Sequence, residues 1–598
     1  MALSFHSPAL FRRLCWLLVL VVVHLAAQPS GSGHAPTWPP AGADLSIADQ
    51  WLAKLTLRQR IAQLLVVPFY GDPVFVGSDA DRAFQALVRD AGVGGLIILN
   101  RSVAGSVVRA EPYQMAAFLN RMQRLAGIPL LVAGDFERGA SMRLNDVTVF
   151  PHAMSFGAAN DLEMTRRFGE ATACEAKALG VHWILAPSAD LNSNAENPVI
   201  HQRSFGEVAT LVSAHTNAFV KGVQQNKSCP LPATVKHFPG HGDTHVDSHM
   251  GMPVIERDRD ALEASDLVPF RSAITSGVYS VMPGHLRVPA FEPQAIPATV
   301  SKAVVTGLLR DQLGFQGLVV SDGMDMKGIT GRHGAGEAAV RAVEAGVDVL
   351  VIPPDPMAAI NALEAAVKAG RLAEERINQS ALRILQAKAA LGLHANKLVD
   401  VEAIATVVPS PEYRDLATQV TRKGLTLARN QRNTLPLRAG AGNCAIAMNR
   451  SRTTTDGRTF LRAVAAKDRR AKVWYVDDSM SDAAYAQMQK EILGCTSVAI
   501  ASFLPVASAA AKEIPLSPRQ ASLIKALESS SVRTILVPFA NPYLMMHFPN
   551  VSAVVLPFSS VTTAETVVAD ALFGAFSFMG KSPIRIPGAL EAGAGLTQ

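Results

Sequence analysis

Eight short apolar runs recur through the first two thirds of the chain: Leu64 to Phe69, Gly95 to Leu99, Pro129 to Gly134, Trp183 to Pro187, Ala233 to Val235, Val278 to Met282, Leu318 to Val320 and Val347 to Ile352. Segments of helical composition separate them, for example DLEMTRRFGEATACEAKALG. A run that stays apolar without alternating marks a strand buried on both faces, and such strands are covered by helices. Eight strand and helix repeats between about residue 50 and residue 395 predict an α/β fold, a (β/α)8 TIM-like barrel, whose usual length this span matches. The pair Thr56 and Gln59 ahead of IAQLLVV is a capping-box pattern, so a helix is expected to lead into the first strand.

A barrel of this kind carries its chemistry at the C-terminal ends of the strands. Those positions hold Asp135 after the third run, Asp190 after the fourth, Lys236 and His237 after the fifth, His285 after the sixth, Asp322 after the seventh and Asp355 after the eighth. For Asp190 and Asp355, capping of the following helix is an equal reading, because Asp favours that role.

The most loaded of these ends is Lys236 to His249, KHFPGHGDTHVDSH. His237, His241, His245 and His249 recur every fourth residue, which on a helix would stack imidazoles as metal ligands. Pro239, Gly240 and Gly242 disfavour that helix, at about 3 kcal/mol for the proline and about 1 kcal/mol for each glycine, so no metal site is expected. The remaining reading is an active-site loop in which an extended backbone puts Asp247 and His249 on one side. There the carboxylate would fix the imidazole tautomer and leave the other ring nitrogen as a general acid or base.

Around 396 to 412 the periodicity lapses into NKLVDVEAIATVVPSPE. Beyond it TLPL, NCAIAM, AKVWYV, TSVAIASF, VRTILVPF and VSAVVLPF are strand candidates separated by helical stretches such as SPRQASLIKALESS, so a smaller α/β sandwich domain is expected over 413–598. No phosphate-cradling GxxxxGK and no well-placed GxGxxG occur, and AGAG at 439–442 reads as a turn, so no cofactor is expected. The net charge of +6 is spread without a basic block, which gives no support to nucleic-acid binding.

At the N-terminus Arg12 and Arg13 precede the mostly apolar stretch Leu14 to Leu25 and the small residues Ala26 and Ala27. This reads as a signal peptide over 1–27, followed by a Pro- and Gly-rich linker over 28–45 and the barrel over 46–395. The stretch is short for a membrane span, so an exported protein, periplasmic or secreted, without stable membrane insertion is expected. In an oxidising compartment Cys174, Cys229, Cys444 and Cys495 either pair within their domains or remain buried thiols.

Taken together, KHFPGHGDTHVDSH, VVSDGMDMKGI, NPVIHQRSFG and PATVSKAVVTGLLRDQLGFQG resemble glycoside hydrolase family 3, and more narrowly its β-N-acetylglucosaminidase branch. LTLARNQRNTLPL and GKSPIRIP extend the resemblance into the second domain. The resemblance implies Asp322 as nucleophile and His249 as general acid/base assisted by Asp247. It also implies Asp135, Arg143, Arg203, Lys236 and His237 as holders of the hydroxyl and acetamido groups of a terminal sugar. An exo-acting retaining enzyme acting on peptidoglycan fragments or chitin oligosaccharides follows, since a retaining mechanism needs one anionic nucleophile and one proton donor.

Three departures stand out: DFERGASMR has Arg138 and Ala140 where DxEGGxxxR is usual, MPGH replaces MTAH, and Gly323 follows the nucleophile position. Asp325 is the competing nucleophile. The competing functions are a β-glucosidase or xylosidase whose acid/base is a Glu of the second domain, a non-catalytic carbohydrate-binding wall protein, and a metal-dependent hydrolase.

Overall fold

The computed structural model describes residues 37–40, 42–103, 106–248, 250–331, 333–450, 454–504 and 516–598. The expected signal peptide and most of the first linker, and likewise His249, lie outside the described residues.

Eight strands stand where the apolar runs fall: β1 Leu65–Phe69, β2 Gly95–Ile98, β3 Leu131–Gly134, β4 Trp183–Ile184, β5 Thr234–Phe238, β6 Ser280–Pro283, β7 Leu318–Val319 and β8 Leu350–Val351. They form two parallel arcs, β8-β1-β2-β3-β4 and β5-β6-β7. Isolated parallel bridges lie at both seams, Ile184 with Ala233 and Ser188 with Lys236 at one and Val320 with Val349 at the other. Almost every strand residue is buried, which is why these runs carry no polar alternation.

The connecting helices start where short polar side chains satisfy their first N–H groups. Thr56 and Gln59 form the expected capping box for Leu57–Gln63. Asp161 Oδ1 accepts from Met164 N at 3.0 Å to open Leu162–Ala178. Gly180, at φ +79°, lets the chain leave that helix, and a Cβ there would lie 2.4 Å from Val399 Cγ2.

Beyond residue 424 comes a second sheet of β9 Thr426–Asn430, β10 Asn443–Met448, β11 Lys472–Val476, β12 Ser497–Ser502, β13 Arg533–Pro538 and β14 Ala553–Leu556, in the order β9-β14-β13-β12-β10-β11. Only β9 runs antiparallel to its neighbour. Alternate residues serve opposite faces: Ile446, Ile500 and Leu536 pack with the helices Asp482–Ile492 and Pro518–Glu528, while Ala447, Ala501 and Val537 pack with Arg458–Lys467 and Thr562–Leu572. TLPL is not a strand. Pro436 has no N–H for a ladder, and the pairing falls instead on TLARN just before it.

The two sheets meet through the helix Ala153–Ala159, whose Met154 and Ala158 enter the apolar cluster of Ile584 and Ile586. Ser155 Oγ donates to Pro557 O at 2.9 Å, and Asn192 Nδ2 donates to the Tyr543 hydroxyl at 2.7 Å. The cysteines pair as Cys174–Cys229 and Cys444–Cys495.

Candidate active site

The polar ends of β3, β5 and β7 converge, together with the turn His201–Arg203. Lys236 Nζ, buried in β5, lies 2.7 Å from Asp135 Oδ1 and 2.8 Å from Glu137 Oε1. Arg143 Nη2 holds the other oxygen of Asp135 at 3.0 Å. Arg203 grips Glu137 with two parallel bonds of 2.8 Å, the fork geometry that orients a guanidinium most firmly. Burial alone would raise both carboxyls. The facing cations outweigh it, Lys236 and Arg143 for Asp135 and Arg203 and Lys236 for Glu137, so Asp135 is lowered and Glu137 lies well below its ordinary value.

Asp190 is buried and accepts from the His237 N–H at 3.1 Å, the His241 N–H at 2.7 Å and Ser188 Oγ at 2.9 Å. Its Oδ2 also lies 2.8 Å from His237 Nδ1, while His237 Nε2 lies 3.1 Å from Arg203 Nη2. Arg203 can only donate, so Nε2 is the acceptor and Nδ1 carries the proton given to Asp190. That leaves Asp190 as an orienting carboxylate and not a helix cap. Asp355, in contrast, accepts from Ala358 N at 2.9 Å and caps Pro356–Lys368, outside the site.

Asp322 follows β7 and accepts from the Gly323 N–H at 2.8 Å. Burial would raise its pKa, but the influence of His237 and His285, the Gly323 N–H and Lys236 brings it to about 2. It is therefore a carboxylate at neutral pH. His285 Nε2 lies 2.9 Å from Gly323 O, so the ring donates into the same turn. Asp322 borders two adjoining cavities. One, of about 490 Å³, is lined also by Asn100, Asp135, Arg143, Asp325 and Lys327. The other, of about 300 Å³, is lined by Glu137, Arg203, Lys236, His237 and Ser248.

The loop after β5 departs from the extended form expected for it. The Asp247 carbonyl accepts from the Met250 and Gly251 N–H groups at 2.9 and 3.0 Å, so the chain turns here. The described imidazoles go to separate partners: His241 to Thr244 and Ser248, His245 to Glu196 and Asn194. Ser248 is buried by the His241 contact, which anchors the loop beside the smaller cavity.

The structure thus brings Asp135, Arg143, Arg203, Lys236, His237 and Asp322 together, with Asp247 half-buried on the adjoining loop. Sequence reasoning missed Glu137. Its signal was the spacing of two from Asp135, which on extended backbone places two carboxylates on one side.

A half-buried, ionised carboxylate beside a rack of fixed cations, at the C-terminal ends of parallel strands, is the equipment of a glycoside-cleaving enzyme. The chain belongs to glycosyl hydrolase family 3: residues 56–387 match that family's N-terminal domain. It is 29% identical over 396 residues, 64% of this chain and 67% of the relative, to the β-N-acetylglucosaminidase/β-glucosidase of Cellulomonas fimi. It is 32% identical over 426 residues, 65% of this chain and 69% of the relative, to β-hexosaminidase A of Pseudoalteromonas piscicida. Among solved structures, the family 3 β-N-acetylglucosaminidase of Paenibacillus sp. str. FPU-7 superposes with a TM-score of 0.76 at 31% identity, covering 89% of this chain and 99% of that one.

Proposed function

We propose that this protein is an exo-acting, retaining β-N-acetylglucosaminidase (β-N-acetylhexosaminidase) that removes terminal β-linked N-acetylglucosamine from peptidoglycan fragments or chitin oligosaccharides. The observation that carries the reading is the ionised Asp322 at the junction of two cavities, facing Lys236, Arg143 and Arg203 held by carboxylates. In this reading the two parallel arcs are one TIM-like barrel over 46–395, joined by 396–412 to an α/β sandwich domain over 413–598.

The chemistry divides between two groups. An Asp322 oxygen attacks the anomeric carbon as the glycosidic C–O bond breaks, and His249 gives its proton to the leaving oxygen. His249 then takes a proton from water as that water attacks the same carbon and releases Asp322. Asp247 supports the imidazole. Asp135, Arg143, Arg203, Lys236 and His237 hold the sugar's hydroxyl and acetamido groups through charge-assisted hydrogen bonds. The scheme uses no metal or cofactor.

Both disulfides suit an oxidising compartment. Among the described residues no helix is long and apolar enough to cross a membrane. The disulfides and the signal-like stretch at 1–27 support an exported protein, periplasmic or secreted.

The double name of the Cellulomonas fimi relative favours one second reading, a β-glucosidase of the same fold. Aryl glycosides separate the two. The proposal expects release of N-acetylglucosamine from its nitrophenyl β-glycoside, undiminished by EDTA and abolished in Asp322→Asn with the melting profile retained. A higher kcat/KM on the glucoside would install the second reading, and no release from either would overturn both.

A further inference from the structure

Residues 137–143 form a wall with cavities on both sides. Glu137 and Arg143 face the Asp322 side, while Arg138 and Ser141 face a third cavity of about 370 Å³, between the barrel and the second sheet. This cavity is lined also by Arg109 from the barrel, by Thr455 and Asp456, and by Ser560 and Thr562 at the start of the helix Thr562–Leu572.

Two arginines and two aspartates line it, and among the described residues they are not paired with one another. Arg138 is partly buried, and the carboxylate nearest it in sequence, Glu137, has both oxygens taken by Arg203 and Lys236. Burial and the repulsion of Arg109 and Arg143 bring Arg138 down to about 10. Arg109 is likewise lowered by burial, and its Nε is buried without a partner. Asp146 and Asp456 line the same cavity, yet among the described residues no ion pair or side-chain hydrogen bond engages either guanidinium. His152, which lines the same cavity, is held near 3 by burial and Arg138, so it is neutral, with Nδ1 2.9 Å from Ser559 Oγ.

Two guanidiniums offer up to ten N–H donors in fixed planes that match oxyanions. The helix Thr562–Leu572, eleven residues long, adds first-turn N–H groups, since its N-cap Val561 supplies no side-chain acceptor. Ser560, Thr562 and Thr455 add hydroxyls. Two guanidiniums in no ion pair, a helix N-terminus and a cavity of small-molecule size coincide here. Arg138 stands where the resemblance leads one to expect glycine, so the site is a feature of this chain.

We propose that Arg109 and Arg138, with the start of the helix Thr562–Leu572, bind a small oxyanion, a phosphate or a carboxylate, behind the wall that carries Glu137. The inference stands apart from the sugar chemistry, because the occupant does not touch Asp322's cavities. Calorimetric titration of the full chain with inorganic phosphate, and separately with succinate, at constant ionic strength in chloride tests it.

The expected result is saturable one-site binding of at least one anion, weakened about tenfold by Arg138→Gln and by Arg109→Gln, the scale of one charge-assisted contact. Phosphate alone binding would identify a phosphoryl ligand, and succinate alone a carboxylate. Melting curves in chloride check that both variants fold. Two results would overturn the proposal: no saturation by either anion at millimolar concentration, or binding that both variants retain and Arg143→Gln abolishes, which would place the anion in the sugar cavity.

Discussion

Lys388 is fully buried in the helix Glu374–Ala390, and its Nζ meets Gln63 Oε1 at 2.6 Å. Burial lowers its pKa to about 7, whereas the unfolded chain returns it to roughly 10.4. Between those values the unfolded state binds the extra proton. A charged, buried ammonium therefore weakens the fold most below pH 7, and the penalty fades as pH rises through the window. Lys388→Met should stabilise by on the order of 2 kcal/mol at pH 6 and by much less at pH 10, read from chemical denaturation at the two pH values. An equal gain at both would mean that the amine reaches water. At this scale much of the site was legible, because six of the eight singled-out side chains line Asp322's cavities. What escaped was pairing across the fold. Nothing in the sequence joins Asp190 to His237 or Glu137 to Arg203, since both contacts depend on which strand ends the closure of the sheets makes neighbours.

Helices announced themselves through their caps, and strands through runs without alternation. The loop after β5 did not, because Pro239 and the glycines exclude a helix without choosing among turns. TLPL and TLARN show the same limit, since one proline decides between them and apolar content does not. One buried carboxylate ties β7 to the chain that enters β8. Asp348, just before β8, accepts from Arg310 at 2.8 Å, Arg383 at 2.9 Å and Ser380 Oγ at 2.6 Å, and also from the Val319 N–H at 3.0 Å in β7. Burial would raise its pKa, but the arginines bring it to about 2. A carboxyl lowered in the fold contributes stability above its unfolded value near 3.9 that is lost as pH falls toward 2. Asp348→Ala should cost about 3–5 kcal/mol at pH 7, the scale of leaving buried partners unpaired, and the gap from wild type should narrow across that acid window. A cost below 1 kcal/mol in urea unfolding would show that the arginines find other acceptors.

At the scale of the whole molecule, the proposed chemistry falls on the two parallel arcs and the loop after β5, and the second sheet buttresses them. Gln202 Nε2 donates to Phe539 O at 3.2 Å, which braces the turn that carries Arg203. The acidic candidates there have structural partners: Glu491 pairs with Lys472, Glu528 accepts from the Asn550 N–H, and buried Glu565 accepts from the Phe460 N–H. Glu565 is thus an interior residue, and Glu513 lies outside the described residues. Glu491→Gln and Glu528→Gln should leave kcat unchanged. A fall of about 10³-fold, typical of a lost general acid/base, would move the proton donor to the second domain. Intact and peptide mass spectrometry of His249→Ala mixed with nitrophenyl β-N-acetylglucosaminide tests the covalent mechanism most directly. This leaving group departs without a proton, but the second step lacks its base. The account predicts a burst of nitrophenol and a chain heavier by one N-acetylhexosamine residue, with the adduct on the peptide carrying Asp322. An unmodified chain turning over at the wild-type rate, or an adduct on Asp325, would contradict it.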